Sequence, residues 1–196
     1  PELRKRLVDD QRATAMQRAL DAGRADATLP PVVAMRGVAH GQPARPDGDL
    51  WDHSCSVLRL LPAATGFPLA FAALLHDVGK PETLTIEGGH TRFPDHEQAG
   101  RRIADQLCRQ LKLSNGEHER VAWLVGSHHA LDRATTLRDS QLKRLLARPG
   151  IDEMLALHRA DALANTGTCQ VDYCEAISAI SPPARSIPRS SRATTW

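Results

Sequence analysis

Residues 73–81 read ALLHDVGKP, and the fold turns on how that stretch is read. His76 and Asp77 stand side by side at the end of an apolar run, with Leu74, Leu75 and Val78 around them. Both side chains are costly to bury unless something pairs with them. The run itself, PLAFAALLHDV over residues 68–78, is apolar nearly all round, the pattern of a helix buried on every side. Gly79, Lys80 and Pro81 are placed to end it. A metal ion would suit both members of the polar pair, holding them where water is scarce.

Working outward, residues 2–21 read as one charged helix, with Leu3, Leu7, Ala15 and Leu20 loosely periodic, broken by Pro30 and Pro31. Residues 37–49, GVAHGQPARPDGD, carry Gly, Pro and Asp at turn density and predict a loop. Asp49 is placed to cap a helix that starts near Leu50, carries Trp51, His53, Val57, Leu58 and Leu61, and stops near Pro62. Residues 83–93 alternate around Gly88-Gly89 and predict a small β-hairpin. Helices follow over 94–111, over a segment opened by a Ser114/Glu117 capping box and reaching His128-His129, and over two C-terminal stretches, the first ending at Pro149-Gly150. The tail beyond residue 181 is rich in Ser, Pro and Arg and is expected to be disordered. The class is therefore all-α with one minor hairpin. Its expected division is an N-terminal helix and loop over 1–49, a main domain over 50–167, and a tail over 168–196.

The 196 residues suit one core, and the hydrophobic fraction of 41 % is ordinary for a globular protein. A net charge of +2 does not argue for nucleic-acid binding by itself and does not oppose a phosphate-bearing substrate. No apolar run approaches the roughly 20 residues that span a bilayer. The N-terminal PELRKRLVDDQR lacks the apolar core of a signal peptide, and its first residue is not Met, as in a trimmed or excised piece. Cys55, Cys108, Cys169 and Cys174 form no CxxC pair, which predicts reduced thiols in a cytoplasmic protein.

His53, His76, Asp77 and Asp161 each sit on an apolar helix. Taken singly, each has an ordinary structural reading, a buried His bonded to backbone or an Asp paired with Arg. Together, imidazole nitrogen and carboxylate oxygen form the ligand set of a divalent transition ion, and separate helices converging on one point is how a bundle builds such a site.

The order His53, His76-Asp77, Asp161 resembles the HD superfamily of metal-dependent phosphohydrolases. LPPVVAMRGVAH, RPDGDLWDHSCSVL, ALLHDVGKPET, TRFPDHEQAG and HRADALA together resemble the HD domain in the C-terminal half of bacterial CCA-adding tRNA nucleotidyltransferases and poly(A) polymerase relatives, over residues 30–167. The resemblance implies a single HD-domain helical bundle with the hairpin after the HD helix. It implies a divalent transition metal, Mn, Fe, Co, Ni or Zn, held by His53, His76, Asp77 and Asp161. His96 and His128 stand where binuclear members supply ligands to a second ion, with Asp77 bridging and a bridging water becoming the hydroxide nucleophile. Asp95 stands where the family carries Gly before that His.

On one helix His128 and His129 would diverge by about 100°, so one ligates while His129 faces substrate or solvent as a catalytic candidate. Lys80 would lie one turn past the doublet, at the site mouth, to stabilise phosphoryl charge, against the alternative of a solvated helix-terminal charge. Arg101 and Arg102 offer a phosphate contact, Arg102 being the substrate-binding candidate, or else an exposed basic face. His40, His90 and His118 fall in loop or surface contexts and receive no role. His158 reads as a helix-surface residue, Trp51 as packing, Cys55 as core. No G-x-S-x-G elbow surrounds Ser54 or Cys55, so direct hydrolysis without a covalent intermediate is expected.

Nothing in the chain resembles the nucleotidyltransferase head, so it should not itself add nucleotides. The leading expectation is a hydrolase of phosphomonoesters or phosphodiesters, including nucleotides and 2′,3′-cyclic ones. Its partners would be a small phosphoester or nucleotide, or an RNA end, and no membrane. The alternatives are a non-catalytic, RNA-binding body fragment of a tRNA nucleotidyltransferase-like protein, and a regulatory nucleotide-binding domain that hydrolyses slowly.

Overall fold

The computed structural model describes residues 1–40, 48–132 and 134–165. The tail, Cys169, Cys174 and the middle of the 37–49 loop lie outside the described residues. The single helix expected over 2–21 is two helices, α1 (Glu2–Val8) and α2 (Arg12–Asp21). Asp9 is the cause. Its backbone is extended, and its Oδ1 accepts from the Gln11 amide at 2.7 Å, a local turn that competes with helix continuation. Pro30-Pro31, expected to break structure, instead opens the short helix α3 (Pro30–Val33), where a missing N–H costs nothing.

α4 (Leu50–Leu60) begins at a reciprocal cap. Asp49 Oδ1 accepts from the Asp52 amide at 3.0 Å, and the Asp49 amide donates to Asp52 Oδ2 at 3.1 Å. Trp51 packs as expected, buried with its indole N–H donating to Gln17 Oε1 at 2.6 Å, which ties α4 to α2. Arg12 is buried too. Its guanidinium donates to the carbonyls of Leu7 at 3.2 Å and Ala63 at 2.8 Å, and reaches those of Leu58 and Leu61 at 3.5 Å. It thus satisfies main-chain oxygens left over at the ends of α1 and α4.

α5 (Phe67–Leu75) is the central helix, packed against α1 and α4 and against α8 and α10, described below. It ends at Leu75, one residue short of the His-Asp doublet, and not beyond it as expected. Residues 76–79 form a turn, and α6 (Lys80–Thr83) restarts the helix with Pro81 in its first turn. β1 (Thr85–Glu87) and β2 (His90–Arg92) pair antiparallel with Ile86 opposite Thr91. Gly88 and Gly89 turn the hairpin at φ 57° and 79°, both left-handed, as a two-residue turn requires.

α7 (His96–Gln110) starts at Asp95, whose φ of 53° accounts for the departure noted above: the position takes the left-handed conformation, which favours Gly and which Asp tolerates. α8 (Asn115–Gly126) carries the expected Ser114/Glu117 capping box but stops at Gly126. His128–Leu131 and Ala134–Thr136 are 3-10 turns, so the histidine doublet is not on the α-helix. α9 (Asp139–Leu146) and α10 (Ile151–Asn165) complete the bundle. α7 packs against α8, and α10 against α4. No described helix is long and apolar enough to cross a membrane.

Candidate metal centre

Three segments meet at one point. α4 presents His53, the turn after α5 presents His76 and Asp77, and α10 presents Asp161. His53 Nε2 lies 3.1 Å from His76 Nε2 and 3.0 Å from Asp161 Oδ1. Asp77 Oδ2 is 3.4 Å from His76 Nε2 and 3.8 Å from His53 Nε2. A second cluster faces the other oxygen of the same carboxylate. Asp77 Oδ1 is 3.7 Å from His96 Nε2 and 3.8 Å from His128 Nε2, and these two nitrogens are 3.4 Å apart.

The local backbone sets which nitrogen each ring offers. His76 Nδ1 donates to the Ala73 carbonyl at 2.8 Å, His96 Nδ1 to Phe93 at 2.9 Å, and His128 Nδ1 to Val125 at 2.8 Å. A carbonyl only accepts, so each Nδ1 carries the hydrogen and each Nε2 is left to present its lone pair inward when the ring is neutral. That is the arrangement by which ligating histidines are oriented.

Gly79 lets the two clusters approach. A Cβ there would collide with the His96 carbonyl oxygen and stand 2.5 Å from the Gly100 amide. Glycine therefore allows the start of α7 to lie directly on the doublet turn, which brings His96 to Asp77.

The charges are poised for a cation. Burial drives the His53 imidazole down to about 4, against the pull of Asp161. Burial opposes charge on His76 as well, but Asp77 and Asp161 outweigh it and carry that ring up to about 9. Burial also depresses His96, and His128 strongly, the latter with neighbouring His129 adding to it. Burial works against ionised Asp77 and Asp161, yet the charges of His76 and Lys80 hold Asp77, and the hydrogen bond with His53 and the charge of His76 hold Asp161, below the usual carboxylate range. Neutral imidazoles and ionised carboxylates are the states a metal requires; His53, His96, His128 and both carboxylates are in them, and the His76 proton is the one an ion would displace. Asp77 Oδ1 is buried and has no hydrogen-bond partner among the described residues, an orphaned acceptor aimed into the second cluster. The residues fit a divalent ion, and His53/His76/Asp161, His40/His53/Asp77 and His96/His128/His129 are each grouped closely enough to hold one.

Several candidates sit differently from expectation. Lys80 is neither at the mouth nor solvated: it is buried, and its Nζ donates to Asp77 Oδ2 at 2.7 Å. His129 follows His128 on a 3-10 turn, yet the rings lie 4.1 Å apart and both approach His96. Its Nδ1 donates to Asp132 Oδ2 at 2.6 Å; burial opposes charge on this ring, but Asp132 raises its pKa. Arg102 lies on the exposed face and pairs with Glu82 at 2.7 Å. His158, expected on the surface, is buried, with Nδ1 3.5 Å from Asp132 Oδ1. His40, given no role, lies in the site, its Nε2 3.4 Å from Asp77 Oδ2. The available signal was its place in the 37–49 loop leading to α4; a lone His among turn residues has no periodicity to draw attention. His118 is away from the centre and pairs with Asp105 at 2.8 Å.

The HD domain family matches residues 50–166, from the start of α4 to just past α10. The multifunctional CCA protein of Chromobacterium violaceum is 35 % identical over 147 residues, covering 74 % of this chain and 35 % of that protein. That of Stenotrophomonas maltophilia is 33 % identical over 178 residues, covering 89 % and 41 %. The A-adding tRNA nucleotidyltransferase of Deinococcus radiodurans is 31 % identical over 154 residues, covering 74 % and 34 %. The chain thus spans between about a third and two fifths of the length of the curated relatives it matches. With its helical bundle, its hairpin behind the doublet turn and a family match over more than half its length, the chain belongs to the HD-domain family.

Proposed function

We propose that the protein is a metal-dependent phosphoric ester hydrolase with two divalent transition ions, one held by His53, His76 and Asp161 and one by His96 and His128, with Asp77 between them. The observation that carries this reading is the Asp77 carboxylate, buried with one oxygen toward each imidazole cluster and Oδ1 without a partner. Ions of the Mn, Fe, Co, Ni or Zn class would supply Lewis acidity toward phosphoryl oxygens and acidify water.

The chain's own groups have separable tasks. His76, His96 and His128 hold their Nδ1–H groups on backbone carbonyls, which turns their Nε2 atoms, with that of His53, toward the centre. Lys80 brings a fixed positive charge to Asp77 Oδ2, where it also attracts a phosphoryl oxygen. His129 carries a proton on a ring oriented by Asp132, at the more exposed edge of the second cluster. In the reaction a water oxygen would bond to phosphorus and give up its proton to solvent as the ester P–O bond breaks, the departing oxygen would take a proton from His129, and solvent would return one to that ring. Arg102 would have to leave Glu82 to meet substrate, so its part is confined to an extended one.

The substrate class is a phosphomonoester or phosphodiester, with nucleotides, 2′,3′-cyclic nucleotides and RNA ends the favoured forms. Similarity to proteins named for tRNA nucleotide addition supports the RNA end. The same similarity favours a second reading, a body segment that supports RNA handling without hydrolysis. A cytoplasmic location is supported by the unpaired thiols of Cys55 and Cys108.

The test is metal analysis joined to hydrolysis of bis-p-nitrophenyl phosphate. Chelator-sensitive turnover, restored by Mn or Co, is expected. Protein that binds divalent ions yet leaves phosphodiesters and nucleotides intact would transfer the conclusion to the second reading.

A further inference from the structure

We propose that His40 is an additional nitrogen donor to the ion of the first cluster, supplied from outside the helical bundle; this rests on the metal-dependent reading above. His40 precedes the doublet and helices α4–α10 in sequence and lies on a strap between α3 and α4, not on a helix. Three contacts hold the strap to the start of α4. The Gly37 amide donates to Asp49 Oδ2 at 2.6 Å, the Leu50 amide donates to the Val38 carbonyl at 2.9 Å, and Ala39 bridges Asp49 antiparallel. Asp49 also caps α4 through its other oxygen. One carboxylate therefore fixes both the strap bearing His40 and the helix bearing His53.

The result is a ring aimed inward. The His40 and His53 rings lie 4.0 Å apart, with planes inclined at 37°. His40 Nε2 is 3.4 Å from Asp77 Oδ2 and 3.4 Å from Lys80 Nζ. His40 Nε2 thus stands between an ammonium that donates and a carboxylate oxygen that accepts, and with the hydrogen on Nδ1 it offers its lone pair inward. Its side chain is 19 % exposed, whereas an imidazole with no inward partner would turn to water. His40, His53 and Asp77 offer donor atoms within 4.8 Å of one another, the same span that groups His53, His76 and Asp161. The donor set becomes three imidazole nitrogens and two carboxylate oxygens. A set of that size favours ions that accept five or six ligands, such as Mn, Fe, Co or Ni, over strictly tetrahedral zinc.

Cobalt(II) titration of the full chain, followed by visible d–d absorption, tests this in the wild type, His40→Ala, His40→Phe and His53→Ala. His40→Phe keeps a ring against His53 and removes the nitrogen. The expected result is a shifted absorption band and at least about tenfold weaker cobalt binding at the first site in both His40 variants, since groups one shell further out already cost 10- to 100-fold. His53→Ala should lose that site altogether. Wild-type affinity and spectrum in His40→Phe, with loss in His53→Ala, would overturn the assignment of His40 and leave the metal reading standing. Unchanged cobalt binding in His53→Ala as well would overturn both.

Discussion

The Gly79 α-carbon faces the carbonyl oxygen of His96 so closely that a methyl group between them has no room. The contact ties the register of α7 to the doublet turn. Gly79→Ala should push the start of α7 away, destabilising the fold by about 1–3 kcal/mol, the usual range for overpacking. His96 moves with α7, so divalent-ion binding at the second cluster should fall more than at the first. Urea unfolding and metal counting on the same variant check both; wild-type values in each would show that α7 does not need this glycine.

His96→Ala removes one lone pair from the second cluster without touching His53, His76 or Asp161. The metal content of saturated protein should drop by about one ion per chain. Saturation of the wild type at a single ion would instead make His96 and His128 substrate or orienting groups.

Metal binding should release protons. The His53 and His76 nitrogens face one another at 3.1 Å, and His76 carries the extra proton, its pKa raised to about 9, against burial, by Asp77 and Asp161. That proton is held below pH 9 and lost above it. An entering cation must displace it, so affinity should climb roughly tenfold per pH unit from neutrality and level off above the raised pKa. Calorimetry at pH 7 in buffers of different ionisation enthalpy should report about one proton released at the first site. Affinity independent of pH across this interval would contradict the assignment.

Arg12→Ala should be a stability variant with an ordinary metal site. It removes a buried guanidinium that serves carbonyls at the ends of α1 and α4, leaving those oxygens without their donor. A loss of about 2–4 kcal/mol is expected, summing hydrogen bonds to a charged group and the acceptors left behind. Chemical denaturation measures it, and cobalt affinity of the folded fraction should be unchanged.

Cys55 and Cys108 should resist alkylation. Burial pushes their thiols up to about 12 and about 11 from an ordinary 9.0. The neutral thiol is favoured in the fold, so their contribution to stability is complete below pH 9 and is lost as pH rises toward the folded values, because the unfolded thiols ionise first. At pH 8 iodoacetamide should modify them on the order of a hundredfold slower in native protein than in urea. Peptide mass spectrometry separates them from Cys169 and Cys174.

The His53, His76, Asp77 and Asp161 constellation was legible because each polar residue interrupts an apolar helical pattern, an anomaly visible without coordinates. The Ser114 cap, the Asp49 cap and the Gly88-Gly89 hairpin were legible because each depends on a few adjacent residues. His40 was not, because what places it is the second oxygen of Asp49, whose sequence signal is that of a helix cap alone. His158 was misplaced because α10 is buried on more than one side, leaving no clean polar face to compare it with. The 3-10 turn under His128 and His129 arises where α8 stops at Gly126, a place no proline marks. Asp9 could have been read as a helix breaker, but two acids in a charged helix also look like solvated surface.

Lys80 gives the protein a tenant for its own binding site. With its ammonium 2.7 Å from Asp77, the chain neutralises its most buried carboxylate from within. Small zinc modules must meet their ion before they can fold. On the metal-dependent reading, folding and metal acquisition would here be separate events: the chain would reach its final shape first and take up ions afterwards, so the loaded ion would depend on the metals present after synthesis.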